Sequence, residues 1–263
     1  MHDLTVTTLQ SNLVWEDAEA NLTNFDSKLD SINSPGDLVI LPEMFSTGFS
    51  INPENLAEKP DGRTFNWMQE KAAELNCVVT GSVLIEEDGK YFNRLFWVRP
   101  DGSFDYYDKR HLFRLGEEYK MFSAGHERVI FELNGWRIFP QICYDLRFPV
   151  WSKNRYLNNK YEFDLMIYVA NWPEVRNYAW KQLLVARAIE NQAFVIGVNR
   201  VGLDGKQIPH SGNSMVLDYK GQILTQAKPH KEETITTKIP YPELKDFRDQ
   251  FTVGLDWDGF EIK

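Results

Sequence analysis

The 263 residues are 43% hydrophobic and 25% charged, ordinary values for a globular chain long enough to bury one large core. A formal net charge of -9 with no basic cluster argues against a nucleic-acid-binding surface, and two cysteines are too few for a disulfide framework. Apolar runs fall far short of the roughly 20 residues needed to cross a bilayer, and the opening "MHDLTVTTLQ" lacks the regions of a signal peptide, so a cytoplasmic protein is expected.

In chain order, the first informative pattern is "DLVILPE" (37–43), a branched-aliphatic run that reads as a buried strand ending on a carboxylate. Glu43 thus lies directly past a strand end, where α/β sheets gather their site residues. Set beside Met44 and Phe45 it is a candidate general base, and a strand-end glutamate paired with an arginine is the plainer alternative. "TFNWMQEKAAEL" (64–75) carries apolar residues near helical spacing, and "CVVTGSVLIEEDG" (77–89) reads as a strand closing on an Asp-Gly turn. Cys77, at the start of that strand with no charged neighbour, reads as core. "RLFWVRPDGSFDYY" (94–107) is a strand, a turn and a strand. At its exit Lys109 offers an ammonium to negative charge developing on a carbonyl oxygen. In "RLGEEYKMFSAG", spacing alone leaves Glu117 and Glu118 equal as a second site carboxylate.

"WRIFPQI" (136–142) is another buried strand, and "FPVWSKNRYL" (148–157) reads as the opening of a helix with Pro149 near its start. Cys143 stands at the corner between them, where backbone N–H groups can activate a thiol and bind an oxyanion. Asp145 and Arg147 read as structural charges fixing that corner. Beyond it, "DLMIYVAN" (164–171), "WKQLLVARAIEN" (180–191), "AFVIGVNRVGLDG" (193–205) and "SMVLDYKGQILTQ" (214–226) answer the four earlier patterns in the same order. Arg187 and Glu190 are placed to tie the second helix down.

A strand, helix, strand, hairpin series that occurs twice predicts an α/β fold of two similar halves. Strands apolar on both faces must be covered on both, so the sheets face each other and the helices lie outside, in a four-layer α-β-β-α sandwich. No linker divides the chain, so residues 1–230 read as one domain. Residues 231–263 read as a tail whose Phe247, Phe251, Leu255 and Trp257 dock on that domain or across a subunit interface.

A thiol, a base and a cation at three strand ends are what acyl transfer from an amide requires. Histidine is the familiar partner of a catalytic thiol, and His111 and His210 leave a papain-like pair open; zinc-site spacing is absent.

"LPEMF", "YDKRHLF" and "ICYDLRFP", in that order, resemble the glutamate, lysine and cysteine motifs of the nitrilase superfamily of carbon-nitrogen hydrolases. The similarity continues through "YVANWP" and "ARAIENQAFVIGVNRVG". This resemblance implies an α-β-β-α sandwich, a homodimer or larger homo-oligomer, Cys143 as nucleophile, Glu43 as base and Lys109 as oxyanion stabiliser, with no metal or organic cofactor. Within the superfamily, "PEMFSTGF", "KRHLFRLGEEYKMFSAG" and "VANWP" resemble the omega-amidase branch, which hydrolyses the terminal amide of 2-oxoglutaramate and 2-oxosuccinamate. Alignment on Gly125 then selects Glu118 as the second glutamate. The Tyr144 backbone N–H is expected to join Lys109 at the oxyanion, and Arg114, with Phe45 and Trp172 as walls, is a candidate for the substrate carboxylate. Nitrilases, N-carbamoyl amidases and aliphatic amidases would share the three catalytic groups. A catalytically silent binding module is the alternative from another class, and it places no demand on those groups.

Overall fold

The computed structural model describes residues 2–262 and contains two six-stranded sheets. The first sets β1 (Leu4–Gln10), β2 (Leu38–Ile40), β3 (Val78–Glu87), β4 (Lys90–Val98) and β5 (Phe104–Asp108) side by side in that order. The second sets β6 (Phe131–Leu133) at one edge, followed by β7 (Trp136–Ile142), β8 (Leu165–Ala170), β9 (Phe194–Asn199), β10 (Met215–Leu217) and β11 (Ile223–Gln226). From β7 to β11 it repeats the order of β1 to β5. A last strand, β12 (Glu233–Ile239), returns to the first sheet and pairs antiparallel with β1 from Leu4 opposite Ile239 to Gln10 opposite Glu233.

The layers follow from the period-two alternation of strand side chains. Leu38 and Ile40 of β2, with Leu95 and Trp97 of β4, join a core cluster shared with Ile138 and Ile142 of the other sheet. Val39, Leu41, Phe96 and Val98 face the opposite way. They pack with Phe25 of α1 (Ala18–Asp30) and Met68 of α2 (Arg63–Leu75). On the second sheet the cover is α3 (Asn177–Asn191), seated through Trp180, Leu184 and Ala188. Helices therefore form the two outer layers of an α-β-β-α sandwich. α1 starts where the Asp17 carboxylate accepts from the Ala20 N–H at 3.0 Å. α2 and α3 stop at Asn76 and Gln192, both left-handed with φ of 50° and 47°.

Strand direction decides where the site falls. β1, β2 and β3 run parallel, as do β7, β8 and β9. β5 is antiparallel to β4, which is antiparallel to β3, so β5 leaves the sheet on the same side as β2. Glu43 beyond β2, Lys109 beyond β5, Cys143 beyond β7 and Asn171 beyond β8 thus all leave carboxyl strand ends.

Two expectations change here. No long helix follows Cys143: a 3-10 turn spans Cys143–Arg147 and a single helical turn spans Pro149–Ser152, with Pro149 in its first position. The residues after 230, read as a tail, begin with β12, which completes the first sheet, and continue as α4 (Tyr241–Gln250). Phe247 stacks on Tyr219 at 4.7 Å, Arg248 pairs with buried Asp164 at 2.5 Å and Trp257 meets Tyr161 at 5.6 Å. Among the described residues no helix is long and apolar enough to cross a membrane.

Candidate active site

Glu43 is fully buried, and each of its oxygens is engaged. Oε1 accepts from Lys109 Nζ at 2.8 Å and from Asn93 Nδ2 at 2.9 Å, and Oε2 accepts from the Asn171 backbone N–H at 2.7 Å. Asn171 Nδ2 also donates to the Glu43 carbonyl at 2.5 Å, so the ends of β2 and β8 are held together across the two sheets. Glu118 accepts from the same ammonium at 3.1 and 3.0 Å, and from the Phe113 N–H at 2.5 Å. Glu117 is exposed and pairs with Lys120 at 2.5 Å, so the second buried carboxylate is Glu118. Gly125 donates to the Lys109 carbonyl at 2.9 Å, and a Cβ there would lie 2.1 Å from the Asp108 carbonyl oxygen. No side chain fits that approach, which is why a glycine closes the loop behind the lysine.

Burial acts to discharge Lys109, but Glu118, then Glu43, then Cys143 outweigh it and hold the ammonium well above its usual range. Burial pushes the Glu118 carboxyl up, with Lys109 opposing. Charges this deep persist because each faces an opposite one with hydrogen bonds to spare.

Cys143 adopts φ of 44°, a left-handed conformation that strains a residue with a Cβ and turns the chain sharply out of β7. Asp145 clasps this turn. It accepts from the Ile142 N–H at 3.0 Å, the Tyr107 hydroxyl at 2.8 Å, the His111 N–H at 3.0 Å and His111 Nδ1 at 2.7 Å. The structural role expected of Asp145 holds with different partners, because Arg147 points away from it into the cavity. Arg187 pairs with Glu190 at 2.8 Å and donates to the Leu146 carbonyl at 2.7 Å, tying α3 to the cysteine turn. Burial, then the Glu43 carboxylate, pushes the Cys143 thiol well up, with Lys109 opposing. The resting sulfur is therefore a thiol beside a carboxylate. Tyr144 is second in the 3-10 turn, where a backbone N–H has no acceptor within the turn.

The charges that act most strongly on the thiol are Glu43, Lys109 and Glu118, not a histidine. His111 is committed to Asp145 and stacks on Phe148 at 3.7 Å. His210 borders the cavity, its Nδ1 lies 3.0 Å from the Ile208 carbonyl, and burial followed by the Arg200 charge lowers it to about 4. It is neutral near pH 7.

Cys143 and Lys109 form part of the lining of a cavity of about 330 Å³, walled by Phe49, Phe113, Tyr144 and Trp172. Trp172 stands where expected; Phe45 and Arg114 do not. Met44, at φ of 42°, reverses the chain after Glu43 and sends Phe45 into the outer core, 5.6 Å from Phe25 and 5.7 Å from Trp67. Phe49 takes the wall position instead, its ring 5.2 Å from the Lys109 ammonium. Arg114 is exposed and lies over Tyr119 at 4.7 Å. The guanidiniums that do reach the cavity are Arg147, over Trp172 at 4.8 Å, and Arg176, over Phe113 at 5.3 Å. Asn93 and Arg176 carried no local signal in the sequence, whereas Phe49 ends the "PEMFSTGF" segment and Asn171 sits within "VANWP". Among the described residues no cluster of three or more His, Cys, Asp or Glu is arranged to hold a metal ion.

An α-β-β-α sandwich that gathers a thiol, carboxylates and an ammonium at its strand ends defines a class, the carbon-nitrogen hydrolases. The chain belongs to the carbon-nitrogen hydrolase family, whose pattern matches residues 5–249. It is 44% identical over 262 residues to omega-amidase YafV of Escherichia coli K12, covering 100% of each chain. It is 30% identical over 256 residues to the 2-oxoglutaramate amidase of Bacillus subtilis, covering 96% of each. The crystal structure of XC1258 from Xanthomonas campestris, a CN-hydrolase superfamily protein with an arsenic adduct in its active site, matches with a TM-score of 0.98 at 45% identity over 100% of each chain.

Proposed function

We propose that this hydrolase is an omega-amidase that cleaves the terminal amide of 2-oxoglutaramate and 2-oxosuccinamate, releasing ammonia and the 2-oxo dicarboxylate. The observation that carries the reading is the buried ion cluster: Lys109 Nζ at 2.8 Å from Glu43 and 3.0 Å from Glu118, with Cys143 under the influence of all three. Whole-length likeness to an omega-amidase and a 2-oxoglutaramate amidase supports the substrate.

In the proposed mechanism the Cys143 sulfur attacks the amide carbonyl carbon while its proton passes to Glu43, and the carbonyl electron pair moves onto oxygen. Lys109 and the Tyr144 backbone N–H receive that oxyanion. Glu43 returns the proton to nitrogen as the C–N bond breaks, so ammonia leaves and a thioester remains. Water then attacks the thioester, Glu43 takes its proton, and the sulfur departs to be reprotonated. Charge inside the cluster is conserved at each step, because a proton moves within it whenever the oxyanion appears. In a buried site that avoids the cost of creating an unpaired ion. Glu118 holds Lys109 in place through two hydrogen bonds to its ammonium.

The same reading makes the protein a cytoplasmic homo-oligomer, with the half-exposed Phe251 and Leu255 after α4, 56% and 63% accessible, as the subunit contact. Light scattering of wild type against Leu255→Lys tests the assembly. For the activity, ammonia release is measured with 2-oxoglutaramate, glutamine, asparagine, simple nitriles and N-carbamoyl amino acids. Turnover confined to nitriles or carbamoyl compounds would remove the omega-amidase assignment.

A further inference from the structure

Glu43 and Glu118 place two carboxylates on one ammonium, so the buried cluster carries a surplus negative charge. Carboxylates held this way tend to take up one proton between them, and a base that shares a proton can no longer accept another. The charged and titratable groups around Glu43 are Lys109 at the exit of β5, Glu118 in the helical turn Glu118–Met121, and Cys143 beyond β7. Burial, opposed by Lys109 and then aided by the Glu43 charge, raises Glu118, so the two carboxylates feel each other.

Asn93 meets both. It is buried on β4, on the face it shares with Leu95 and Trp97. Its Nδ2 lies 2.9 Å from Glu43 Oε1 and 3.4 Å from Glu118 Oε1, the same two oxygens that accept from Lys109 Nζ at 2.8 and 3.1 Å. The Asn93 backbone carbonyl accepts from the Lys109 N–H at 3.0 Å, and the next residue, Arg94, donates to both oxygens of Asp108 at 2.8 and 2.9 Å. The ladder between β4 and β5 thus fixes Asn93 and Lys109 as neighbours. Asn93 Oδ1 meets no donor among the described residues, and turning the amide over would aim that oxygen at two carboxylates. The side chain therefore serves through its N–H groups. A carboxamide donates hydrogen bonds without giving up or taking on a proton, which neither a carboxyl nor a thiol can do.

We propose that Asn93 is a positioning residue for the reaction: its amide bridges the two carboxylate oxygens that would otherwise share a proton, and so leaves Glu43 free to receive the proton of Cys143. This rests on Glu43 as the base of the proposed amidase.

The test follows two rates across pH: kcat/KM for 2-oxoglutaramate, and alkylation of Cys143 by iodoacetamide read by mass spectrometry. The variants are Asn93→Leu, which deletes the donor at nearly the same size, and Asn93→Asp, which keeps the shape and adds a group that can itself hold the proton. A carboxylate that loses a donor to its charged form binds its proton more tightly. The acid limb of both profiles should therefore move to higher pH, by about one to two pH units in Asn93→Leu and further in Asn93→Asp. Below the limb the rates should fall roughly 10- to 100-fold and recover as pH rises. In a Glu118→Gln background the sharing partner is gone, and Asn93→Leu should move the limb by less. Where Asn93→Leu fails to fold, Asn93→Asp carries the test. An unshifted limb in a folded variant overturns the assignment, as does a rate lowered equally at every pH, which marks a structural role. An equal shift with and without Glu118 overturns the bridge. Alkylation needs no amide: if its profile shifts as expected while wild type leaves 2-oxoglutaramate intact, the omega-amidase reading fails and the Asn93 assignment stands.

Discussion

Cys77 lies in the outer core beside Val79 and Ala72, and Cys143 stands on the wall of the cavity at the far end of the sandwich. Burial raises both thiols, Cys77 to about 12. The usual route to a reactive cysteine is a lowered pKa, and neither side chain follows it. What separates them is the company. Cys77 feels the Asp37 carboxylate and no cation that could bind an oxyanion, whereas Cys143 shares a buried cluster with Glu43, Lys109 and Glu118. Reactivity in this fold comes from a base and a cation placed around a neutral thiol, not from a thiolate waiting in solvent.

Removing the sulfur tests that contrast most severely. Cys143→Ala should lower amide hydrolysis by about 10⁴-fold or more while the melting transition stays cooperative; a folded variant that keeps its rate ends the nucleophile assignment. Glu43→Gln keeps the shape and deletes the base, so kcat/KM should fall roughly 10³-fold. Alkylation of Cys143 by iodoacetamide, followed by mass spectrometry, should slow in parallel. Unchanged alkylation would show that some other group takes the proton. Glu118→Gln leaves Lys109 with one carboxylate and should cost about 10²-fold in kcat with a smaller change in KM, because the ammonium that receives the oxyanion is then less firmly positioned.

A rival base in the same cavity would blur the comparison, and His210 provides the check. Its folded pKa of about 4 lies below the ordinary 6.5. Between those values the unfolded chain binds the additional proton, so stability falls as pH drops from 6.5 toward 4, by up to about 3 kcal/mol, and is unaffected by this group above 6.5. Urea titrations of His210→Gln across that window should be flatter than wild type. A kcat/KM profile that loses its acid limb in that variant would instead make His210 the base. The smallest effect belongs to Cys77→Ala: a loss of about 1 kcal/mol from a small core cavity, with turnover at the wild-type level.

Much of this was legible beforehand for a physical reason. Strands apolar on both faces, a helix between them and a hairpin after them recur twice, and burial on both faces leaves few arrangements other than facing sheets covered by helices. Glu43, Lys109 and Cys143 stood out because each ends an apolar run, and the structure brings the first two into contact with Cys143 under their field. The walls of the cavity were not legible in the same way. Phe45 lies next but one to Glu43 yet faces the outer core, since the left-handed Met44 turns the chain between them, and Phe49 reaches the cavity. Arg114 is near Lys109 in sequence yet exposed, while Arg176 comes from a loop after β8.

The sequence by itself determined the repeated halves, the order of strands and the kinds of reactive group at their ends, because periodicity and chemical identity are local properties. The tertiary structure alone decided that Glu118 and Glu43 flank one ammonium, that Asp145 clasps His111 and Tyr107, and that Arg147 and Arg176 are left without acids at the cavity. Those outcomes depend on distances across two sheets and on the direction a side chain takes after a left-handed residue, and neither quantity is written in any short stretch of chain.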